Sequence, residues 1–369
     1  MAYVVIEEQH LNNIGDSIRM KNGKTTYYKP REMADAIREL SALSNETLED
    51  AYLSDSLVNF TYTHIPKIGN SAFDRSQNLS TVDTTGVIEL GDYAFSYSSV
   101  NSVNLPNLTT MGKGVFCGTS LSSLNIPKIT TLPWGTFSSY TGSTIPGLSH
   151  ITEVGGDSCF DYSENLTSID LPNLTTINGS DCFQGCVSLD TVNFPVLTTI
   201  NGSYCFSGCS SVAQVNLPSL TTINGSNCFA GVGAETINLP NLTQILQASC
   251  TFTGCAAKTI ILPSLSKISY ARDNYSWSIL MFTGCENLEA LVLPSTTKVQ
   301  MTYGTTMYNM TDGDYDVFYT NTTGGERKAY IYVPSSLLSS YQSDSNWTKY
   351  YNASVFRAIE DYPEIGALL

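Results

Sequence analysis

Residues 166–188 read LTSIDLPNLTTINGSDCFQGCVS, and residues 189–211 repeat the pattern as LDTVNFPVLTTINGSYCFSGCSS. The pattern continues in both directions, and its most regular member is a phenylalanine that recurs every 21 to 23 residues before a last interval of 30. The series consists of Phe73, Phe95, Phe116, Phe137, Phe160, Phe183, Phe206, Phe229, Phe252 and Phe282. A fixed period of this length indicates stacked structural repeats, so we predict about ten coils.

Each coil is expected to contain a short strand and two turns. The alternation of Ile169, Asp170 and Leu171 predicts a strand with its apolar side turned inward. Pro172 ends that strand, and Asn178-Gly179 predicts a turn at which a positive φ is easily adopted. Because a unit of 23 residues cannot bury its own apolar face, neighbouring coils must share one core. At a strand spacing of about 4.8 Å, ten coils would form a rod about 50 Å long.

The repeated unit resembles the BspA-type leucine-rich repeats of bacterial surface proteins, whose consensus is LxxIxLPxxLxxIGxxAFxxCxxL. The resemblance covers residues 65 to 340 and includes Ser71-Ala72-Phe73 and Tyr93-Ala94-Phe95. It implies an α+β repeat solenoid, a leucine-rich-repeat rod rich in β-structure, with a helical module before it and a cap after it. We expect the solenoid at residues 59–299, the N-terminal module at 1–58 and an aromatic-rich insertion with the C-terminal cap at 300–369. The fold alone predicts no function, because solenoids serve unrelated binding tasks.

The N-terminal module is expected to hold two short helices. Leu11, Ile14 and Ile18 share one helical face, and Pro30 stands where the first turn of a second helix begins. The segment is similar to helical modules of phage tail and fibre proteins, which implies attachment or oligomerisation. A cap that shields the first coil from solvent is the alternative. A DNA-reading helix-turn-helix is disfavoured, since the linker is long and acidic residues outnumber basic ones.

At the other end, residues 330–359 resemble the terminal cap of BspA-type arrays. We expect a last strand that ends at Val333-Pro334, a helix at residues 335–341, and Trp347 as a packing residue.

The composition excludes several classes of partner. Only 14% of the residues are charged and the formal net charge is −15, without any basic cluster. Nucleic acids and anionic membranes both require a positive patch, so neither is an expected partner. The N-terminus lacks the pattern of a secretory signal, and no segment approaches the roughly 20 apolar residues of a membrane span. We therefore expect neither export by a signal peptide nor membrane insertion.

Ten cysteines raise the question of a metal site or disulfides. Two columns run along the repeats: Cys159, Cys182, Cys205 and Cys228 precede the phenylalanine, and Cys186, Cys209, Cys255 and Cys285 follow it by three. Repeated columns indicate packing from coil to coil, because a zinc site needs four converging ligands. Disulfides between adjacent coils remain the alternative. We predict no metal and no cofactor.

Catalytic chemistry finds little support in the sequence. His10, His64 and His150 lie in separate contexts without a partnered nucleophile or acid, so we predict no catalytic residues and no enzyme. Asp312, Asp314 and Asp316 have the spacing of the first ligands of a calcium loop, but the completing glutamate is missing. A solvated acidic loop is the better interpretation of that segment.

Binding is expected where the repeat becomes irregular. The outward strand positions are mostly Ser, Thr and Asn, but Ile261, Ala290 and Val292 turn them apolar in the last coils. Nearby insertions are rich in tyrosine, and extra loops on a rigid solenoid often carry recognition residues. The candidate ligand-binding residues are Tyr270, Tyr275, Trp277, Tyr303, Tyr308 and Tyr315. Covering the open end of the core is the equal alternative for these loops.

Together these features predict a non-enzymatic phage virion protein of the tail-fibre or receptor-binding type. Its N-terminal helices would join other virion proteins, as a homo-oligomer, and its solenoid and distal loops would bind a glycan or protein on the bacterial host surface. A bacterial cell-surface leucine-rich repeat adhesin is one alternative, and a structural capsid fibre or decoration protein is another. The expected location is the virion, or the bacterial cell surface under the first alternative.

Overall fold

The computed structural model describes residues 59–61, 66–247, 249–269, 281–282, 284–302, 329–348, 351 and 353–369. These residues form a parallel β-solenoid of about 11 turns with a short helical region at its C-terminal end. The predicted fold class is therefore confirmed. The N-terminal module, and with it the helices predicted there, lies outside the described residues.

The first ladder contains one strand of each coil, in most coils the strand that precedes the proline, and all of its pairings are parallel. Its strands are β1 (Asn59–Phe60), β3 (Thr81–Asp83), β5 (Ser102–Asn104), β7 (Ser123–Asn125), β9 (Thr144–Ile145), β11 (Ser168–Ile169), β13 (Thr191–Asn193), β15 (Gln214–Asn216), β17 (Thr236–Asn238), β19 (Thr259–Ile261), β21 (Ala290–Val292), β23 (Tyr330–Val333) and β24 (Phe356–Ala358). Hydrogen bonding divides the ladder into four sheets, β1–β3–β5–β7, β9–β11, β13–β15 and β17–β19–β21–β23–β24.

The second ladder contains a shorter strand from each coil and is also parallel. Its strands are β2 (Lys67–Ile68), β4 (Glu89–Leu90), β6 (Thr110–Met111), β8 (Thr131–Leu132), β10 (Glu153–Val154), β12 (Thr176–Ile177), β14 (Thr199–Ile200), β16 (Thr222–Ile223), β18 (Gln244–Leu246), β20 (Lys267–Ser269) and β22 (Gln300–Thr302). It consists of two sheets, one from β2 to β6 and one from β8 to β22.

The repeated phenylalanines form a continuous stack through the core. All ten are buried, and successive rings lie with their centroids 4.8 to 5.8 Å apart and their planes within 23° of each other. Each such contact contributes roughly 0.5–1.5 kcal/mol beyond the burial of the ring itself. The period seen in the sequence is therefore the period of the core.

The predicted positive φ at the Asn-Gly pairs is wrong. Gly179, Gly202 and Gly225 are absent from the positive-φ residues, which instead flank each phenylalanine at two positions before and after it, as at Asp181 (58°) and Gly185 (69°). The Asn-Gly glycines are needed because the coils approach each other closely there. A Cβ on Gly202 would lie 1.8 Å from the carbonyl oxygen of Gly179.

The cysteines pack inside the solenoid as free thiols. Nine of the ten are buried and Cys250 is half-buried. Cys182 Sγ donates to the carbonyl oxygen of Gly179 at 3.1 Å, and Cys205 repeats the contact with Gly202 at 3.1 Å. Burial raises the pKa of Cys186 well above its usual range and that of Cys209 to about 12. No disulfide joins these ten cysteines, although the Sγ atoms of Cys255 and Cys285, which lie in adjacent coils, are 3.4 Å apart.

The C-terminal cap closes the end of the core. Its helices are α1 (Ser335–Gln342), α2 (Ser345–Thr348) and α3 (Pro363–Gly366), with 3₁₀ turns at Ala353–Val355 and Ile359–Asp361. Trp347 is buried as predicted, and its indole N–H donates to the carbonyl oxygen of Val299 at 3.0 Å. The N–H of Val299 in turn donates to the Tyr341 hydroxyl at 2.8 Å, and burial raises the pKa of that hydroxyl to about 12.

The apolar column of the last coils lies beneath the C-terminal segment. Ile261, Val292 and Tyr332 are buried in one cluster with Ile365, and Tyr362 packs against it with its ring 5.2 Å from that of Tyr332. This column is therefore a packing surface of the cap. Among the described residues, no helix has both the length and the apolar character that a membrane crossing requires.

Candidate functional site

The predicted ligand-binding residues cannot be placed. Tyr270, Tyr275, Trp277, Tyr303, Tyr308 and Tyr315 all lie outside the described residues, as do the aspartates of the acidic loop. Binding by the distal loops therefore stays a prediction. The described solenoid holds a different candidate, in its third to fifth coils.

The second ladder is interrupted between β6 and β8. Elsewhere the residue after each second-ladder strand donates its N–H to the preceding coil, as Gly112 does to Leu90 (2.8 Å) and Asn178 to Val154 (2.8 Å). The corresponding residue in the fourth coil is Pro133, which has no N–H to donate. Strands β6 and β8 belong to separate sheets. The proline removes one bond across this gap, and a second bond is also missing there: Thr152 N–H donates to Thr130, but Thr130 makes no equivalent bond to Thr109.

An open groove lies over this gap, and we call it the interruption groove. Its volume is about 710 Å³, and it is lined by residues of three successive coils: 109–111 and 113, 128–134, and 153, 155 and 156. Four threonine residues line it, Thr109, Thr110, Thr130 and Thr131. The surface is thus rich in hydroxyl groups as well as concave.

An aromatic pair stands at the groove. Trp134 is 39% exposed, and its ring meets that of Tyr93 edge-to-face at a centroid distance of 6.3 Å. Tyr93 adopts a φ of 58°, in a column where the next two coils have Gly114 and Gly135. A side chain in this conformation costs on the order of 1–2 kcal/mol relative to glycine. The Tyr93 ring occupies the space beside Gly114, where an added Cβ would lie 2.5 Å from it.

Charged groups of both signs line the groove. Lys113 and Lys128 contribute ammonium groups, and Lys128 Nζ donates to Asn107 Oδ1 at 2.8 Å. Glu153 is held in place, because its carboxylate accepts from Asn178 Nδ2 at 2.6 Å and from Thr131 Oγ1 at 3.3 Å. The described salt bridges involve Lys67, Arg75, Lys258 and Lys298, and neither groove lysine takes part in one.

Further exposed tyrosines occupy positive-φ positions on other coils. Tyr97 (φ 51°), Tyr162 (50°) and Tyr204 (56°) are 41–55% exposed. Tyr97 lies against Gly118 of the next coil and beneath the guanidinium of Arg75, which is 5.2 Å from the ring centroid. These three tyrosines add exposed aromatic rings to the turns that flank the phenylalanines. Of the exposed tyrosines with a positive φ, Tyr93 is the one whose ring contacts Trp134.

The groups present are suited to binding. Across the part of the chain that the structure describes, no three His, Cys, Asp or Glu side chains are grouped closely enough to hold a metal ion. His150 contacts the carbonyl oxygen of Ile126 at 3.0 Å through Nε2. The interruption groove offers aromatic rings, hydroxyls, two ammonium groups and one carboxylate, which together can stack against and hydrogen-bond a ligand.

Sequence reasoning missed this groove, although the sequence contained signals for it. Pro133 replaces the Gly or Asn of its column, and Trp134 is the only tryptophan between residues 59 and 269. Lys113 and Lys128 are the only lysine or arginine residues between positions 76 and 257. These single-residue irregularities lie in the middle of the repeat, whereas the prediction of a binding site followed the larger insertions near its end.

The comparisons with known proteins concern the repeat. The model of the BspA type leucine-rich repeat region matches six copies within residues 45–144 and 138–259, which together cover more than half of the chain. No curated protein sequence matches.

Solved structures also align, two of them structures of leucine-rich repeat proteins. One from Bacteroides ovatus is 17% identical, with 82% of this chain and 84% of that chain covered and a TM-score of 0.41. One from Eubacterium ventriosum is 16% identical, with coverages of 70% and 87% and a TM-score of 0.38. The pneumococcal vaccine antigen PcpA is 18% identical, with coverages of 83% and 70% and a TM-score of 0.39. The repeat match carries the assignment: this chain belongs to the BspA-type leucine-rich repeat family.

Proposed function

We propose that this chain is a non-enzymatic recognition protein of the bacterial cell surface that holds its target in the interruption groove. Leucine-rich repeat solenoids typically serve as binding scaffolds, and the BspA-type repeat is one that bacterial surface proteins use. The observation that carries the proposal is the groove itself, where a regular ladder opens beside Trp134 and Tyr93.

Tyr93 contributes its ring to the pair at the groove. Its positive φ is not particular to the groove, because Ser158, Asp181 and Tyr204 adopt a positive φ at the same position of their coils. The outward positions of the first-ladder strands are mostly Ser, Thr and Asn. Their asparagine side chains bond from coil to coil, as Asn125 Nδ2 does to Asn104 Oδ1 at 2.6 Å. Those side chains serve the solenoid itself and leave the groove as the stronger candidate.

The phage tail-fibre role is not supported by the comparisons, and they fit the bacterial surface alternative better. The helical module on which the tail-fibre role rested lies in residues 1–58, outside the described residues. Assembly into a homo-oligomer through this module, and contacts by the distal tyrosines, remain proposals of their own.

The test is binding of the purified full-length protein to intact bacterial cells, read by sedimentation and immunoblotting. We expect Trp134→Ala to reduce cell binding at least fivefold, because aromatic anchors dominate such contacts. Tyr204→Ala is the matched control, since it removes an exposed aromatic ring from a coil remote from the groove. Binding that is equal for the wild type and the Trp134 variant would refute the groove as the site. Binding lost only in a Trp277→Ala, Tyr303→Ala double variant would place recognition in the distal loops.

A further inference from the structure

The placement of the basic residues singles out one ligand chemistry for the interruption groove. Between positions 76 and 257 the chain has eleven Asp and Glu residues and only two basic ones, Lys113 and Lys128. Both basic residues line the same groove, although they stand in different coils and in different columns of the repeat. On a protein of net charge −15, the two ammonium groups outnumber the single Glu153 carboxylate of the lining, although Asp92 lies close by and accepts from the backbone N–H of Lys113 at 2.8 Å.

Neither of these lysines is neutralised by an ion pair within the described residues. Lys128 is instead oriented by the neutral side chain of Asn107 at 2.8 Å. An ammonium group without a carboxylate partner is suited to donate a charge-assisted hydrogen bond to an anionic group of a ligand.

The other lining groups select the kind of molecule that carries the anion. Trp134 offers an exposed aromatic ring held by Tyr93, which suits the apolar face of a sugar ring. Glu153 is fixed by Asn178 and Thr131 and can accept further hydrogen bonds from hydroxyl groups. The hydroxyls of Thr109 and Thr131 already donate within the protein and can only accept from a ligand. A carbohydrate presents a dense set of hydroxyl donors and acceptors, so that one molecule can donate to Glu153 while its anion reaches a lysine.

Nucleic acid fits the groove poorly, because its binding depends on neutralising many phosphates at once. Two ammonium groups on a strongly acidic protein do not supply that. An oligosaccharide with one acidic substituent for every few sugar rings needs only the charges that are present.

We propose that the interruption groove binds an oligosaccharide bearing an anionic substituent, with a sugar ring against Trp134, the anion at Lys113 and Lys128, and ring hydroxyls at Glu153. The inference rests on the proposed function and names its ligand class. The anion is a carboxylate, as in a uronic acid, or a phosphate on the sugar. Both present the oxygen acceptors that the two ammonium groups require.

The experiment is a screen of the full-length protein against immobilised oligosaccharides in three matched arms: uronate-bearing, phosphate-bearing and neutral. The neutral arm contains the methyl esters of the uronates, so that only the charge differs. We expect retention in at least one acidic arm, with the affinity for the methyl ester at least tenfold weaker. The arm that retains the protein identifies the source of the anion.

Three variants then test the residues by titration calorimetry with the retained oligosaccharide. Lys113→Gln combined with Lys128→Gln should weaken binding of the acidic sugar at least tenfold while changing little for its neutral ester. Trp134→Phe keeps an aromatic ring and should weaken binding less than Trp134→Ala. The matched control is Lys258→Gln, which removes a lysine from an ion pair with Glu235 far along the solenoid. Circular dichroism melting verifies that each variant is folded.

Several outcomes would overturn the inference. These are no retention in either acidic arm, equal affinity for the uronate and its ester, or tighter binding of an oligoglutamate peptide, which would assign the groove to acidic peptides. If cells are still bound in a Trp134-dependent way while no sugar binds, the ligand class is wrong and the proposed function stands. If neither cells nor sugars are bound, both fail.

Discussion

Gly202 should be far more sensitive to alanine than Gly208, although Gly208 has the positive φ. Gly202 lies outside the positive-φ residues, but a Cβ there would lie 1.8 Å from the Gly179 carbonyl oxygen and 2.3 Å from its carbonyl carbon. At Gly208 φ is 75°, yet the nearest atoms to a Cβ are 3.7 Å away, at Gly185. The pair therefore separates the effect of coil spacing from the effect of backbone conformation.

The magnitudes follow from these contacts. Contacts shorter than 3.0 Å are essentially never seen for a real Cβ, so Gly202→Ala must push two coils apart. Overpacking of this kind costs about 1–3 kcal/mol. The adjacent bond from Asn201 N–H to the Ile177 carbonyl oxygen, 2.7 Å long, would be strained or lost at a further cost of about 1–3 kcal/mol. Gly208→Ala requires only an unfavourable φ, which costs about 1–2 kcal/mol. Part of this cost is offset because alanine lowers the conformational entropy of the unfolded chain.

The assay is urea unfolding of both variants followed by circular dichroism, together with amide hydrogen exchange at residue 201. We expect Gly202→Ala to lower the free energy of unfolding by about 2–6 kcal/mol and Gly208→Ala by about 1 kcal/mol. Exchange at residue 201 should accelerate only in the first variant. The reasoning is refuted if Gly208→Ala is at least as destabilising as Gly202→Ala, or if exchange at residue 201 is the same in both.

Three further predictions concern the gap, the cap and the buried thiols. Pro133→Asn supplies the missing N–H, so the amide of residue 133 should exchange about as slowly as that of Asn178; exchange at the rate of an unstructured peptide would show that the proline does not cause the gap. Trp347→Phe leaves the buried Val299 carbonyl without its indole donor and should cost about 1–3 kcal/mol in urea unfolding, whereas an unchanged midpoint would contradict the assigned bond. Burial raises the pKa of Cys209 to about 12 in the folded protein. The stabilisation that comes from this pKa shift is complete below the pKa of an unfolded thiol and is lost as the pH rises from there toward 12. The free energy of unfolding should therefore fall above pH about 9, and Cys209→Ala should lessen that slope by up to about 1.4 kcal/mol per pH unit.

The cap could be predicted in part from the sequence. The helix after Pro334 was expected at residues 335–341 and is observed at Ser335–Gln342, and Trp347 packs as expected. The covering of Ile261 and Val292 by Ile365 could not be predicted, because the two segments are far apart in the chain and no periodic pattern relates them. An apolar column at outward strand positions is compatible with a binding face and with a docked segment alike.

The sequence by itself determined the solenoid, because one apolar pattern repeated every 21 to 23 residues admits few arrangements other than stacked coils that share a core. It also determined the burial of the phenylalanine and cysteine columns, since equivalent residues of equivalent coils must lie above one another. Only the tertiary structure shows why residue 202 must be glycine, because the distance between the backbones of adjacent coils cannot be read from the local sequence. Only the tertiary structure brought Trp134 beside Tyr93 and placed Lys113 and Lys128 in one groove. Residues in different columns of a repeat meet only after the pitch of the coils and the gap at Pro133 have fixed their positions.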